Sequence, residues 1–236
     1  MPLPFFFQET IDAASKQITL DEDASKHIVQ VLRMKAGEQL QLTDGKGNVF
    51  TTAISEAHKK HCTVDVISKA TTPPMVKEIT IAISLVKNNS RFEWFLEKGT
   101  EIGVSRIVPL ICQRTEKQHF RFDRVKGILI SAMLQSQQSF LPVLQQPVSF
   151  AEFIHEEKSA QKFIAHCEAE MEKQELTAFS SFQQACMLIG PEGDFTPEEI
   201  AAALQQDFAP VSLGATRLRT ETAGMVAAAL MMNTGG

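Results

Sequence analysis

With 236 residues, 44% of them hydrophobic, the chain can bury a sizeable core and fits one medium domain plus a small one. No apolar run reaches membrane-crossing length, no basic-then-apolar leader opens the sequence, and Cys62, Cys112, Cys167 and Cys186 lack zinc-site spacing, which sets aside membrane, secreted-scaffold and metal classes. A cytoplasmic protein with buried, reduced thiols is expected. The net charge of −5 hides an uneven spread, since residues 1–75, 76–130 and 131–236 carry balances of −1, +4 and −8. A basic middle in an acidic chain suits a local anion-binding face.

The first seventy or so residues read as short strands at 39–42, 49–54 and 62–67, rich in β-branched residues or alternating. Asp44-Gly45-Lys46-Gly47-Asn48 is a hairpin signal between the first two. A helix is predicted over 23–34, where Ala24, Ile28, Val31 and Leu32 share one face. Together these predict a small β-barrel with one helix. Thr71-Thr72-Pro73-Pro74 ends the periodicity, which places a domain boundary after residue 72.

From residue 73 to 236 strands and helices alternate: strand 79–86, helix 92–102, strand 106–111, helix 125–138, a helix near Phe150 and strand 162–166. Strand 185–189, a helix beginning at Thr196, strand 210–213 and a helix over 220–232 complete the series. Repeated β-then-α order predicts a parallel sheet covered by helices, an α/β fold. Thr196, Pro197 and Glu199 form a capping-box start, so the loop before them is pinned at both ends.

That loop, Gly190-Pro191-Glu192-Gly193-Asp194, leaves two positions without a side chain, which lets a ligand lie against backbone. A second loop runs from Leu213-Gly214 to Arg217, Arg219, Thr220, Glu221 and Thr222, crowding polar side chains before a nearly apolar helix. Both follow strands, and α/β proteins hold ligands at the carboxyl ends of strands. Neither glycine pair is followed by the Lys-Ser/Thr of a phosphate loop, and dinucleotide-fingerprint spacing is absent. His166 and Cys167 are adjacent on a predicted strand, so they point to opposite faces and do not form a nucleophile–base pair. His58, His61 and Cys62 have no fourth ligand, and a structural role is favoured for them.

Gly190-Pro191-Glu192-Gly193, the run from Leu213-Gly214 through Leu218-Arg219-Thr220-Glu221-Thr222-Ala223, Glu101-Ile102-Gly103-Val104, Gln135-Ser136 and Val31-Leu32-Arg33 closely resemble the RsmE family of bacterial 16S rRNA uridine-N3 methyltransferases. The resemblance implies a PUA-like β-barrel RNA-binding domain (1–72) before a SPOUT methyltransferase domain (73–236) with a parallel sheet and a C-terminal trefoil knot. It also implies a homodimer, S-adenosyl-L-methionine as cofactor, small-subunit ribosomal RNA as partner, a role in ribosome biogenesis, and no metal or membrane. Carried over, the cofactor pocket comprises His166, Cys167, Glu168, Ile189, Gly190, Glu192, Gly193, Leu213, Gly214, Leu218, Arg219, Thr220 and Ala223.

Uracil N3 holds a weakly acidic proton that must leave before or during attack, which calls for a base or a cation. Arg219 is expected to supply the positive charge and Glu221 to orient it or accept the proton. His27, Arg33, Lys35, Lys87, Arg91 and Arg114 are the expected RNA contacts. The chain departs from the family pattern at Pro2-Leu3-Pro4, Leu134, Gln138 and Asp194. Two other readings stand beside this one: methylation of another atom such as a ribose 2′-oxygen, and a non-catalytic RNA-binding protein.

Overall fold

The computed structural model describes residues 3–12, 14–116, 118–168 and 171–234, so Pro2 lies outside the described residues. The chain forms two compact units: one runs up to Pro74 and includes Met133–Leu141, and the other comprises Met75–Ala132 and everything from Pro142 onward.

The N-terminal unit contains β1 (Phe5–Phe7), β2 (Gln17–Thr19), α1 (Glu22–Lys26), β3 (Gln39–Thr43), β4 (Asn48–Glu56) and β5 (Thr63–Thr71). The strands pair in the order β1-β3-β4-β5-β2, antiparallel except for β1 beside β3. Alternation along β3 and β4 turns Leu40, Leu42, Phe50 and Ile54 inward, where they pack with Phe6, Ile18, Ile28 and Val64. This sheet is the expected PUA-like unit.

The predicted helix over 23–34 is shorter in the fold. Asp21, whose side chain accepts from Ala24 N–H, starts α1, a five-residue π-helical turn His27–Val31 follows, and Arg33 takes left-handed backbone at φ 57°. The apolar positions do not all face inward: Ile28 is fully buried, whereas Val31 is 65% and Leu32 43% exposed.

The hairpin at Gly45 and Gly47 explains why Met133–Leu141 belongs here. Both glycines have positive φ (71° and 91°), and a Cβ at Gly47 would overlap the Phe140 ring. Leu141 N–H donates to Gly45 O at 2.8 Å and Gly47 N–H to Ser139 O at 2.9 Å. No local pattern announces such a docking, because its partners are about ninety residues apart.

The second unit runs β6 (Glu78–Ser84), α2 (Asn89–Ile102), β7 (Arg106–Ile111), α3 (Phe122–Gln135), β8 (Val143–Leu144), β9 (Val148–Ser149), α4 (Phe150–Glu156) and β10 (Gln161–Ala165), with the end of α3 passing into the first unit. It continues with β11 (Gln174–Glu175), β12 (Gln184–Ile189), α5 (Pro197–Gln205), β13 (Ala209–Ser212) and α6 (Thr220–Asn233). Every pairing is parallel, in the order β11-β13-β10-β12-β6-β7-β8 with β9 also on β7. A parallel sheet buries both faces, which is why six of the seven β6 residues are buried. Ala82, Cys186 and Leu188 join the cluster formed with Phe150, Phe153, Ile200 and Ala203 of α4 and α5. On the opposite face, Gly224 of α6 lies against Ile83 and Phe95.

Helix boundaries follow local chemistry. Asn88 caps α2 and Gly103, at φ 98°, ends it. Thr196 and Glu199 make the reciprocal bonds of the capping box that opens α5. Among the described residues no helix is long and apolar enough to cross a membrane, and no cluster of His, Cys, Asp or Glu could hold a metal ion.

Candidate active site

In the order β13-β10-β12 three neighbouring parallel strands end side by side, and the chain after each one bends over the same edge. The three loops enclose a crevice of about 630 Å³. Eleven of the sequence-predicted cofactor positions line it: His166 and Cys167 after β10, Ile189, Gly190 and Glu192 after β12, and Leu213, Gly214, Leu218, Arg219, Thr220 and Ala223 from the loop after β13 into α6.

Specific bonds tie the loops together. Thr220, the first residue of α6, donates its hydroxyl to Gly190 O at 2.9 Å in a buried contact. Asp194, at φ 65°, accepts Cys167 N–H at 2.7 Å through Oδ2 and Phe195 N–H at 2.8 Å through Oδ1. Lys173 Nζ donates to the carbonyls of His166 and Glu168 at 3.1 and 2.7 Å. From the other side Arg114 Nη1 donates to Gly193 O at 2.7 Å and Phe195 O at 3.3 Å. The main chain of Lys87 donates to Glu192 Oε1 at 2.9 Å. At Gly190 a Cβ would stand 3.2 Å from Phe195, a tight contact that would require Phe195 to give way.

His166 is 7% exposed. Its Nδ1 accepts from Glu168 N–H at 3.2 Å, which leaves the proton of the neutral ring on Nε2, a buried atom with no protein partner among the described residues. Burial, aided by Lys173, lowers the histidine's pKa, against the opposing pull of Asp194 and Glu168. Burial therefore favours the neutral imidazole, with its Nε2 inside the protein.

Two predicted cofactor positions stand outside the lining. Gly193 faces Arg114, to whose Cδ a Cβ would come within 3.3 Å, and Glu168 uses its main chain to bracket His166 and Lys173. The expected catalytic pair is also separated in role. Arg219 lines the crevice, exposed and with no side-chain partner among the described residues, whereas Glu221 is 7% exposed, does not line the crevice, and faces Arg91 at 3.7 Å.

The expected RNA contacts divide between the units. In the first, His27 meets Phe6 edge-on at 5.7 Å, Arg33 occupies the strained turn, and Lys35 N–H donates to Glu38. In the second, Lys87 pairs with exposed Glu116 at 2.7 Å, Arg91 faces Glu221, and Arg114 is spent on the loop carbonyls. Arg114 thus serves the shape of the crevice.

Lys173, Asp194 and Arg217 line the crevice and were not among the predicted site residues. Asp194 and Arg217 lie within the two quoted motifs and could have been found there. Lys173 gave no signal, because its role depends on a loop returning to β10. Among the cysteines, Cys62, Cys112 and Cys186 are buried as expected, and burial pushes the Cys112 thiol up to about 12. Cys167 is exposed on the crevice wall instead, because it lies just beyond the end of β10.

Residues 73–232 match the model of an RNA methyltransferase domain, and residues 20–67 that of an RNA methyltransferase PUA domain. The ribosomal RNA small subunit methyltransferase E of Synechocystis sp. is 29% identical over 219 residues, covering 90% of this chain and 71% of that protein. A probable rRNA-methyltransferase from Porphyromonas gingivalis, known from a crystal structure, is 41% identical and superposes with a TM-score of 0.88 over 96% of this chain and 95% of its own. Similar too is the crystal structure of a ribosomal RNA small subunit methyltransferase E from Neisseria gonorrhoeae bound to S-adenosyl methionine, at 27% identity and TM-score 0.83, covering 97% and 96%.

Proposed function

The chain belongs to the RsmE family of ribosomal RNA small subunit methyltransferases, and from that membership we propose that it methylates N3 of one uridine in small-subunit rRNA with S-adenosyl-L-methionine as donor. Methyl transfer to rRNA comes with the family; the atom N3 is the finer part of the proposal. The observation that carries it is the crevice where three strand-end loops meet, with Arg219, a cation that has no side-chain partner among the described residues, in its wall.

The lining suits this donor. Gly214, where a Cβ would meet nothing within 4 Å, leaves backbone open to a flat base. Bound there, the cofactor supplies an electrophilic methyl group. The chain's own residues then do the positioning and the electrostatics. Thr220 and Asp194 hold the loops in one geometry, so the approach of the nucleophile is set by a rigid frame. Arg219 stabilises the negative charge that develops on the uracil as the N3 proton passes to solvent water. Glu221, buried in the first turn of α6, pairs with Arg91 of α2 at 3.7 Å.

Two further parts of the proposal rest on surface chemistry. His27, Arg33 and Lys35 of the first unit and Lys87 and Arg91 of the second meet RNA phosphates. Replacing Arg33, Lys35 and Lys87 together by alanine is expected to lower RNA affinity about tenfold or more and to flatten its salt dependence by roughly one unit of slope for each phosphate no longer neutralised. A salt slope equal to wild type would remove these residues from the proposal. The chain also pairs with a second copy through α6, which is apolar all round and leaves Met225, Val226, Ala229, Leu230 and Met232 only half-buried. A sedimentation mass of one chain would count against pairing. The resemblance further suggests a knotted crossing of the C-terminal loops, consistent with Thr220 reaching back to Gly190.

The deciding experiment supplies the protein with S-adenosyl-L-methionine and small ribosomal subunits from a strain lacking the gene, then maps the modified nucleoside by mass spectrometry against N3-methyluridine. A methyl group on a ribose 2′-oxygen would replace the N3 assignment, and no transfer with intact RNA binding would favour the non-catalytic reading.

A further inference from the structure

We propose that Asp194 makes the crevice discriminate a cationic sulfonium nucleoside from its neutral thioether product, an inference that rests on the cofactor reading above. The residue occupies left-handed backbone, φ 65°, a region that Asp and Asn enter more readily than other side chains. Its two carboxylate oxygens accept from Cys167 N–H and Phe195 N–H, so the group is fixed at the seam between the loops after β10 and β12. No Lys or Arg pairs with it among the described residues, and its charge is not cancelled at short range.

The surrounding lining makes that charge consequential. Lys173, Arg217 and Arg219 stand against Glu192 and Asp194, a positive excess that would oppose a ligand bearing one more positive charge. Lys173 is held by two carbonyls and Glu192 by the main chain of Lys87, so neither is free to reposition against a ligand. Donor and product differ by one methyl group and one unit of charge. A fixed carboxylate is therefore a direct way for the protein to hold the first and release the second. Its field does extend over the wall of the crevice, since Asp194 favours the protonated form of His166.

A second role, that of a backbone latch, must be separated from this one. Asp194→Asn keeps tolerance of left-handed backbone and one of the two oxygen acceptors while removing the charge. Asp194→Gly keeps the backbone and removes charge and acceptor together. The dissociation constants of S-adenosylmethionine and S-adenosylhomocysteine are measured by calorimetry on the full chain at low and high salt. The expected result is that Asp194→Asn weakens the sulfonium ligand about five- to tenfold, leaves the thioether within about twofold, and narrows the gap as salt rises. Asp194→Gly should weaken both. Equal weakening of both ligands by Asp194→Asn, or an unchanged ratio between them, overturns the charge role and leaves the latch. Wild-type protein that binds neither nucleoside overturns the cofactor reading itself, and this proposal with it.

Discussion

Replacing Arg219 by alanine is expected to slow methyl transfer about 100- to 1,000-fold, the scale seen when a preorganised group facing developing charge is removed. The affinity for S-adenosylmethionine should stay within a few-fold, because Arg219 caps α6 through its main chain, with Ala223 N–H donating to its carbonyl at 2.7 Å, and that bond survives the substitution. A side chain that merely braced the loop would lower affinity and rate together. Single-turnover methylation measured beside calorimetric binding distinguishes the two. The variant's rate should also recover partly as pH rises, since a uracil that has already lost its N3 proton no longer depends on the cation to lose it. Arg219→Lys should fall between the two, retaining charge without the planar guanidinium. Unchanged turnover in Arg219→Ala would end the assignment.

A second large effect is expected far from solvent, at Gly224. A Cβ there would stand 2.8 Å from both Ile83 Cδ1 and the Phe95 ring, closer than packed carbons come. Replacing a mid-helix glycine by alanine ordinarily stabilises by nearly 1 kcal/mol. Here overpacking, about 1–3 kcal/mol, should exceed that gain. Gly224→Ala is therefore expected to destabilise by up to about 2 kcal/mol, and Gly224→Val, with two further methyl groups in the same space, by more. Urea unfolding at constant m-value measures both. Ile83→Val removes the Cδ1 that the new methyl group meets, so the double variant should lose less stability than the two single changes added together. Because α6 begins at Thr220 on the crevice wall, Gly224→Ala should also weaken cofactor binding. An alanine variant as stable as wild type would mean that α6 is not seated against β6 and α2 as described.

Much of the frame was legible in order along the chain. The alternation from β6 to α6 follows apolar runs and marked helix starts such as Thr196 and Asn88, signals that act within one or two turns of backbone. The three-residue strands β1 and β2 were not legible. Three residues carry too little alternation to announce a strand, and each exists because a neighbour offers an open edge. The helix read over 23–34 overran because four apolar residues in register look like one buried face, while the fold buries one of them fully and leaves two exposed.

The site divides the same way. Glycines, the capping box and the Arg-Thr-Glu-Thr run could be read from the sequence, since their constraint is local: a backbone that must come close, a helix that must start, charge that must stand before an apolar segment. The partners of those residues could not. Glu221 faces Arg91 on α2, Arg114 supports the loop of Gly193, and Asp194 joins Cys167, pairings between groups 27 to 130 positions apart. The sequence by itself determined the longer elements from β6 to α6 and the two glycine-bearing loops between them. Tertiary structure alone decided which side chains meet, because strand order in a parallel sheet, here β13-β10-β12, brings loop ends together without regard to their separation along the chain.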